Sequence, residues 1–268
     1  MKKLSILAVA FAAIVFASCG GQKSGQNNEG ADSLKSFEQE QIEESIRVQL
    51  DSIASVLGGL KALPMLEQTK NGELKLTDEE KKVKPDYLLD PEIAKEAITL
   101  SEKYRVLVAL SIDQTIAELY DMDTKAYNEA IAQLLSEVND PGFRIFAENG
   151  DLVVESQEIY EAEVQSGRLN YFWQAVATSL VEQMYILCQN QEKFLPVFDD
   201  ESVANLTLRI ALLQDAINRL VEYDPELVEV SEAIKPLEKL NAITVDELKS
   251  DLSKMTNEIT AARNQLVL

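Results

Sequence analysis

From Tyr171 to Cys188 the chain is apolar almost all round. A helix without a polar face has to be enclosed by other helices. Phe172, Trp173, Val176, Leu180, Val181, Met184, Tyr185 and Leu187 leave no stripe for water, and Ala175, Ala177 and Ser179 let neighbours approach closely. Gln174, Glu182 and Gln183 interrupt the run, which is also shorter than the ~20 residues a bilayer span takes. The segment therefore reads as a central helix, about 168–191, and not as an anchor. One such helix fixes the class: all-α, a multi-helix bundle of about seven to eight helices around it.

The surrounding helices announce themselves by period and by caps. Ile42, Ile46, Leu50, Ile53, Leu57 and Leu60 recur at three and four, one apolar face. Asp90, Pro91 and Glu92 form a cap, a first-turn proline and a first-turn acid, predicting a second helix through Leu100 and Ile112 to about Tyr120. Asp123 caps a third that Asp140-Pro141-Gly142 stops. Thr77 caps the solvated turn Glu79–Lys82. Val203 to Leu220 is near-heptad, Asp224-Pro225-Glu226 repeats the cap device, and Thr244 with Glu247 is a capping box ahead of Leu248–Leu266. That last segment has a seam narrow enough for a coiled coil, though an in-domain helix needs nothing more. Phe143–Val154, two apolar runs flanking Asn149-Gly150, is a hairpin or a helix break.

Composition removes whole classes of chemistry. The chain has no histidine, so the usual zinc sets, Ser-His-Asp and Cys-His pairs and imidazole acid–base work are excluded. A formal charge of −21 repels phosphate backbones, so nucleic acid is not an expected partner.

The amino terminus carries an address. Met1-Lys2-Lys3, an uncharged apolar run from Leu4 to Phe16, then Ala17-Ser18-Cys19 describe a secretory signal (1–18) whose Phe-Ala-Ser-Cys ending resembles a bacterial lipobox. Cleavage would leave Cys19 lipidated, with palmitate-type acyl chains holding the protein to a membrane. Residues 19–31, rich in glycine and without an apolar anchor, read as a flexible tether to a helical domain at 32–268. Gly20 is not the aspartate that signals inner-membrane retention in enteric bacteria, so the outer membrane is the expected location. With Cys19 acylated, Cys188 is the one thiol left and no intrachain disulfide forms; it reads as a small core residue.

Leu63-Pro64 with Glu67, Tyr87-Leu88-Leu89-Asp90-Pro91, Asp113 inside the second helix, and Glu182 with Tyr185 in the central helix form a series of landmarks. They resemble a family of uncharacterised all-helical lipoproteins from Bacteroidetes, over roughly residues 60 to 240. Members of that family carry Leu-Pro-x-Pro-x-Glu, Leu-Leu-Asn-Pro, Tyr-Gly-Ala-Asp-Leu and Trp-x-Glu-x-x-Tyr stretches. Here the second proline is missing, Leu110-Ser111-Ile112 replaces Tyr-Gly-Ala, and Leu180 stands at the tryptophan position. The resemblance implies a helical lipoprotein and brings no activity with it.

The candidate site is a pair of acids. Asp113 lies among Val108, Leu110, Ile112 and Ile116, and Glu182 in the apolar helix; buried carboxylates are costly unless paired, protonated or coordinated. Facing one interior, they would share a proton, bind a cation, or meet Arg105 or Lys103, with Tyr185 beside them as a ligand contact. Lying at helix edges, they would be structural. Asp121-Met122-Asp123 begins like a calcium loop, but Ala126 and Ala132 occupy the glycine and bidentate-glutamate positions, so no metal site is expected. Tyr171, Phe172 and Trp173 could form a stacking platform but serve equally as core. The expected function is a non-catalytic, membrane-anchored envelope lipoprotein that binds or assembles with another envelope protein, with no catalytic residue and no cofactor. The alternative is a small-ligand or cation receptor using Asp113, Glu182 and Tyr185. A carboxylate-based hydrolase is the third reading, held back by a single tryptophan where a saccharide groove needs several aromatics.

Overall fold

The computed structural model describes residues 29–144 and 156–267. The leader, Cys19 and most of Phe143–Val154 lie outside them; Phe143 itself is helical, in a turn that begins at Pro141. The chain divides after Glu43 into two compact units, and the larger, Glu44–Leu268, carries the core. The described residues are all-α, with no strand among them. In order come α1 (Glu29–Gly58), α2 (Pro64–Lys70), α3 (Asp78–Lys82), a 3-10 turn (Pro91–Lys95), α4 (Leu100–Leu119), α5 (Lys125–Val138), α6 (Ser156–Ser166), α7 (Leu169–Gln189) and α8 (Gln191–Phe194). A second 3-10 turn (Leu195–Val197) leads to α9 (Asp200–Leu220), α10 (Leu227–Ile234), a third 3-10 turn (Lys235–Lys239) and α11 (Val245–Val267). Because α1 starts at Glu29, the last three residues of the stretch read as a tether are helical.

The central helix is α7. Every residue from Phe172 to Leu187 is buried, and α4, α11, α6, α9 and α10 all pack on it. Several of its polar groups find partners on neighbours, while Gln183 Oε1 and Trp173 Nε1 are buried without a hydrogen bond. Gln174 takes an N–H from Arg105 at 3.2 Å and donates to Ser101, whose hydroxyl donates to Glu226 at 2.5 Å. Gln183 donates to Ser179 at 3.1 Å. Phe172 and Trp173 are fully buried against Tyr160, edge to face, and Tyr171 stacks on Tyr104 with centroids 4.7 Å apart. That aromatic series is core, not a platform. No helix of the described residues is long and apolar enough to cross a membrane.

Caps decide the boundaries, and in one place they overturn the reading from period alone. The single helix expected from Pro91 to Tyr120 is two elements. Asp90 accepts from the Glu92 N–H and starts only a 3-10 turn. Thr99 and Glu102 then form a complete capping box, with Glu102 also taking the Ile98 N–H, and α4 begins there. Burial of Ala97 beside α4 keeps the apolar spacing intact across the break, which is why periodicity does not reveal it. Asp123 takes the first N–H of α5, from Lys125, at 3.0 Å. Asn139, in left-handed conformation (φ 48°), closes α5. At α11, Thr244 accepts from Glu247 while the Glu247 carboxylate reaches back to the Ile243 N–H, one residue earlier than the box in the sequence suggests.

Candidate functional site

Asp113 on α4 and Glu182 on α7 do meet, and a residue from α11 joins them. Arg263 Nε and Nη2 both donate to the Glu182 carboxylate at 3.0 Å, and Nη2 lies 3.6 Å from Asp113 Oδ2. The guanidinium carbon sits 4.3 Å over the Tyr185 ring, a cation–π contact. Asp113 Oδ2 accepts the Leu89 N–H at 2.7 Å, the Leu89 carbonyl accepts Tyr127 Oη at 2.7 Å, and Arg263 also reaches the Tyr87 carbonyl. The cluster thereby pins the Tyr87–Pro91 stretch to three helices.

Neither Arg105 nor Lys103 is the partner. Arg105 bonds Gln174 and Glu229, and Lys103 pairs with Glu137 at 2.8 Å. Eight residues of α-helix separate Arg105 from Asp113 by about 12 Å along the axis, beyond the reach of one side chain packed in the core.

Asp113 Oδ1 is buried with no donor, while both nitrogens of the Arg263 fork aim at Glu182. Burial first, and the neighbouring Glu182 second, push Asp113 well above the usual carboxylate range. Both effects favour the protonated form of Asp113, beside the Glu182 carboxyl that the Arg263 fork grips. The group is closed: Asp113 is 0% exposed, Glu182 1%, Arg263 8% and Tyr185 8%.

A second acid pair of the same design sits at the far end of α4. Asp140, after α5, accepts from Tyr104 Oη, from Arg168 at 3.1 Å and from the Gly142 N–H at 2.9 Å. Glu163 on α6 is wholly buried and neither of its oxygens has a donor. Burial, then the adjacent Asp140 charge, push Glu163 up to about 9, so it holds a proton at neutral pH and donates it to Asp140. Burial opposes ionisation of Asp140 too, but hydrogen bonds from Tyr104, Glu163, Gly142 and Arg168 prevail and hold it below its ordinary value. Gly142 is required here, because a Cβ at that position would lie 2.6 Å from Glu163 Oε1.

Sequence reasoning found Asp113, Glu182 and Tyr185 and missed Arg263, Glu163 and Arg168. A signal was present. Arg263 stands four residues after Ile259 and Glu163 four after Ile159, each on the apolar stripe of its helix.

Two open grooves flank the turn that ends α7. The larger, about 760 Å³, is floored by Leu195, Phe198 and Val245 with Cys188 in its wall. The other, about 580 Å³, is lined by Val83, Tyr87 and Tyr120. Neither is lined by Asp113, Glu182, Tyr185 or Arg263. Tyr87, edge-on to Tyr185 at 6.4 Å, stands between the second groove and the acid cluster. Cys188 is half-buried, at the core's margin and not inside it. Among the described residues no three acid or thiol side chains converge on a point where an ion could sit. No protein-family model, no curated protein and no solved structure matches the chain.

Proposed function

We propose that this protein is a non-catalytic lipoprotein of the cell envelope, held at the outer membrane by acyl chains on Cys19, whose helical domain binds or assembles with another envelope protein. The observation that carries the reading is the closure of the acid cluster. A carboxylate that does chemistry must come within hydrogen-bond reach of a substrate. Asp113 and Glu182 are instead spent on each other, on Arg263 and on the Leu89 backbone, and neither lines the two grooves described. Acid pairs closed in this way stiffen a scaffold, and a stiff scaffold suits a module that displays a surface. Arg263 also occupies the electrostatic place a bound cation would take, which weighs against the cation-receptor alternative. The acidic surface and the missing histidines support the same reading by leaving nucleic acid and most hydrolytic machinery aside.

The test is covalent cross-linking in intact native cells followed by mass spectrometry. Reproducible capture of one or two envelope proteins is expected, and Cys19→Ser should release the chain from the membrane fraction. Substrate turnover by the purified protein that is lost in Asp113→Asn would overturn the non-catalytic reading.

The two grooves favour a second reading, a receptor for a small ligand held there and not among Asp113, Glu182 and Tyr185. A pocket of several hundred Å³ with an apolar floor and a few polar groups suits one. A metabolite screen by thermal shift with no movement would remove it.

A further inference from the structure

From Thr77 to Leu88 the chain crosses the surface of the bundle without a buried side chain, and Val83 within it is 75% exposed. α3 supplies little more than one helical turn and has no buried residue. From Lys84 to Leu88 no backbone N–H donates to a backbone carbonyl among the described residues. Few apolar contacts and little backbone bonding place a segment at the low end of local stability.

Its two ends are held differently from its middle. Leu74 and Leu76 are buried on one side. On the other, Leu89 is buried, its N–H is held by Asp113, its carbonyl by Tyr127, and Arg263 holds the Tyr87 carbonyl. The middle is attached by ammonium groups. Lys81 pairs with Asp121 at 2.7 Å. Lys84 donates to the Tyr120 carbonyl and, at 3.3 Å, to that of Asp121, so its charge sits at the negative end of the α4 dipole. Lys193 on α8 reaches across to Glu80 at 3.0 Å and to the Lys75 carbonyl at 2.9 Å. Contacts of this kind near solvent are weak one by one and are screened by salt, whereas buried leucines and a closed acid cluster are not.

The segment also borders two grooves. Glu80, Val83 and Lys84 line the one of about 580 Å³. Lys81 lines a third, of about 370 Å³, whose other side is Thr115, Glu118 and Leu119 of α4, and Leu76 lines both. Moving α3 outward therefore takes a wall from each.

We propose that residues 77–86 are a strap latched by charge, which lifts off α4 and α8 while Leu76 and the Tyr87–Leu89 end stay fixed, widening both grooves. The acid cluster remains closed as the strap moves, because it holds the fixed end. The strap acts in the same way whichever partner or ligand the domain takes.

The test is residue-resolved hydrogen exchange on the full chain at about 0.01 M and about 1 M sodium chloride, between which the screening length falls from about 30 Å to about 3 Å. High salt should speed exchange of the Lys81 and Val83 amides about three- to ten-fold. Leu89 and the amides of α7 should keep their rates. Lys84→Gln and Lys193→Gln each remove one latch, so both variants should exchange fast at Lys81 and Val83 already at low salt and respond less to added salt. Hydroxyl-radical labelling of Tyr120, which lines the groove yet is only 4% exposed, should rise under the same conditions. Rates at Lys81 and Val83 that ignore both salt and the two variants would overturn the latch. Equal acceleration in α7 would mean that the whole bundle loosens, and would overturn the strap as a separate unit. Fast exchange with unchanged Tyr120 labelling would overturn the widening of the groove.

Discussion

Replacing Asp113 by Asn and Glu182 by Gln should have very different costs, although both changes swap a buried acid for its amide. Asp113 accepts the Leu89 N–H, and burial beside Glu182 favours its neutral form, which would donate to Glu182. An asparagine can make both bonds with its amide nitrogen and oxygen, so Asp113→Asn should cost less than about 1 kcal/mol. Glu182→Gln removes the acid facing both nitrogens of the Arg263 fork and leaves a buried guanidinium whose one remaining acidic neighbour, Asp113, favours its neutral form. Breaking a buried pair from one side typically costs about 3–5 kcal/mol. The relief available is for Asp113 to ionise and take over, which returns part of that cost but forfeits the bidentate geometry at its 3.6 Å separation. A net loss of about 2–4 kcal/mol is therefore expected. Urea unfolding at neutral pH, followed by far-ultraviolet circular dichroism, gives both numbers provided the slope with denaturant stays constant. Equal losses in the two variants, or a larger loss in Asp113→Asn, would refute the assignment of the proton to Asp113.

The second acid pair makes a prediction in pH. Glu163 binds a proton in the folded chain up to about 9, whereas an unfolded glutamate releases it near 4.5. Between those values the folded state holds the extra proton, so stability should fall as pH rises, by about 1.4 kcal/mol per unit for this group. Buried Asp113, shifted in the same direction, adds to the slope. Glu163→Gln should flatten its share of the decline; denaturation midpoints at about pH 6 and about pH 8 that fall equally in both proteins would refute this. A third prediction concerns Cys188, whose thiol burial pushes up to about 11. Its alkylation at neutral pH should be far slower than that of an ordinary thiol and rise about ten-fold per pH unit into the alkaline range, as stopped-time mass spectrometry would show.

How much of this was legible depended on the range of the signal. Caps at Thr77 and Thr244 act within a few residues, and the structure uses both side chains as helix-start acceptors. The enclosure of α7 was equally plain, because an all-apolar surface admits no other environment. The break before α4 was harder. Ile93, Ala97 and Leu100 keep helical spacing across it, and only the Thr99–Glu102 box betrays the new start. The acid pair was half legible. Asp113 and Glu182 stand out as charges among apolar neighbours, but which cation meets them is decided by the packing of α11 on α7, a long-range fact that spacing along α4 cannot carry. Arg168 escaped because it is unremarkable among 25 basic side chains, and Glu163 because its place on the apolar stripe of α6 is a faint signal among 46 acids.

The position of Arg263 along the chain has a consequence for the order of synthesis. The guanidinium that neutralises Glu182 lies 81 residues downstream of it. A nascent chain that has produced α4 and α7 but not α11 therefore holds two acids in a would-be core with no countercharge, and one fully apolar helix with a side uncovered. Such an intermediate should gain little by closing early and be kept loose by its own electrostatics until α11 emerges. A chain that postpones its collapse in this way stays threadable until α11 has been made.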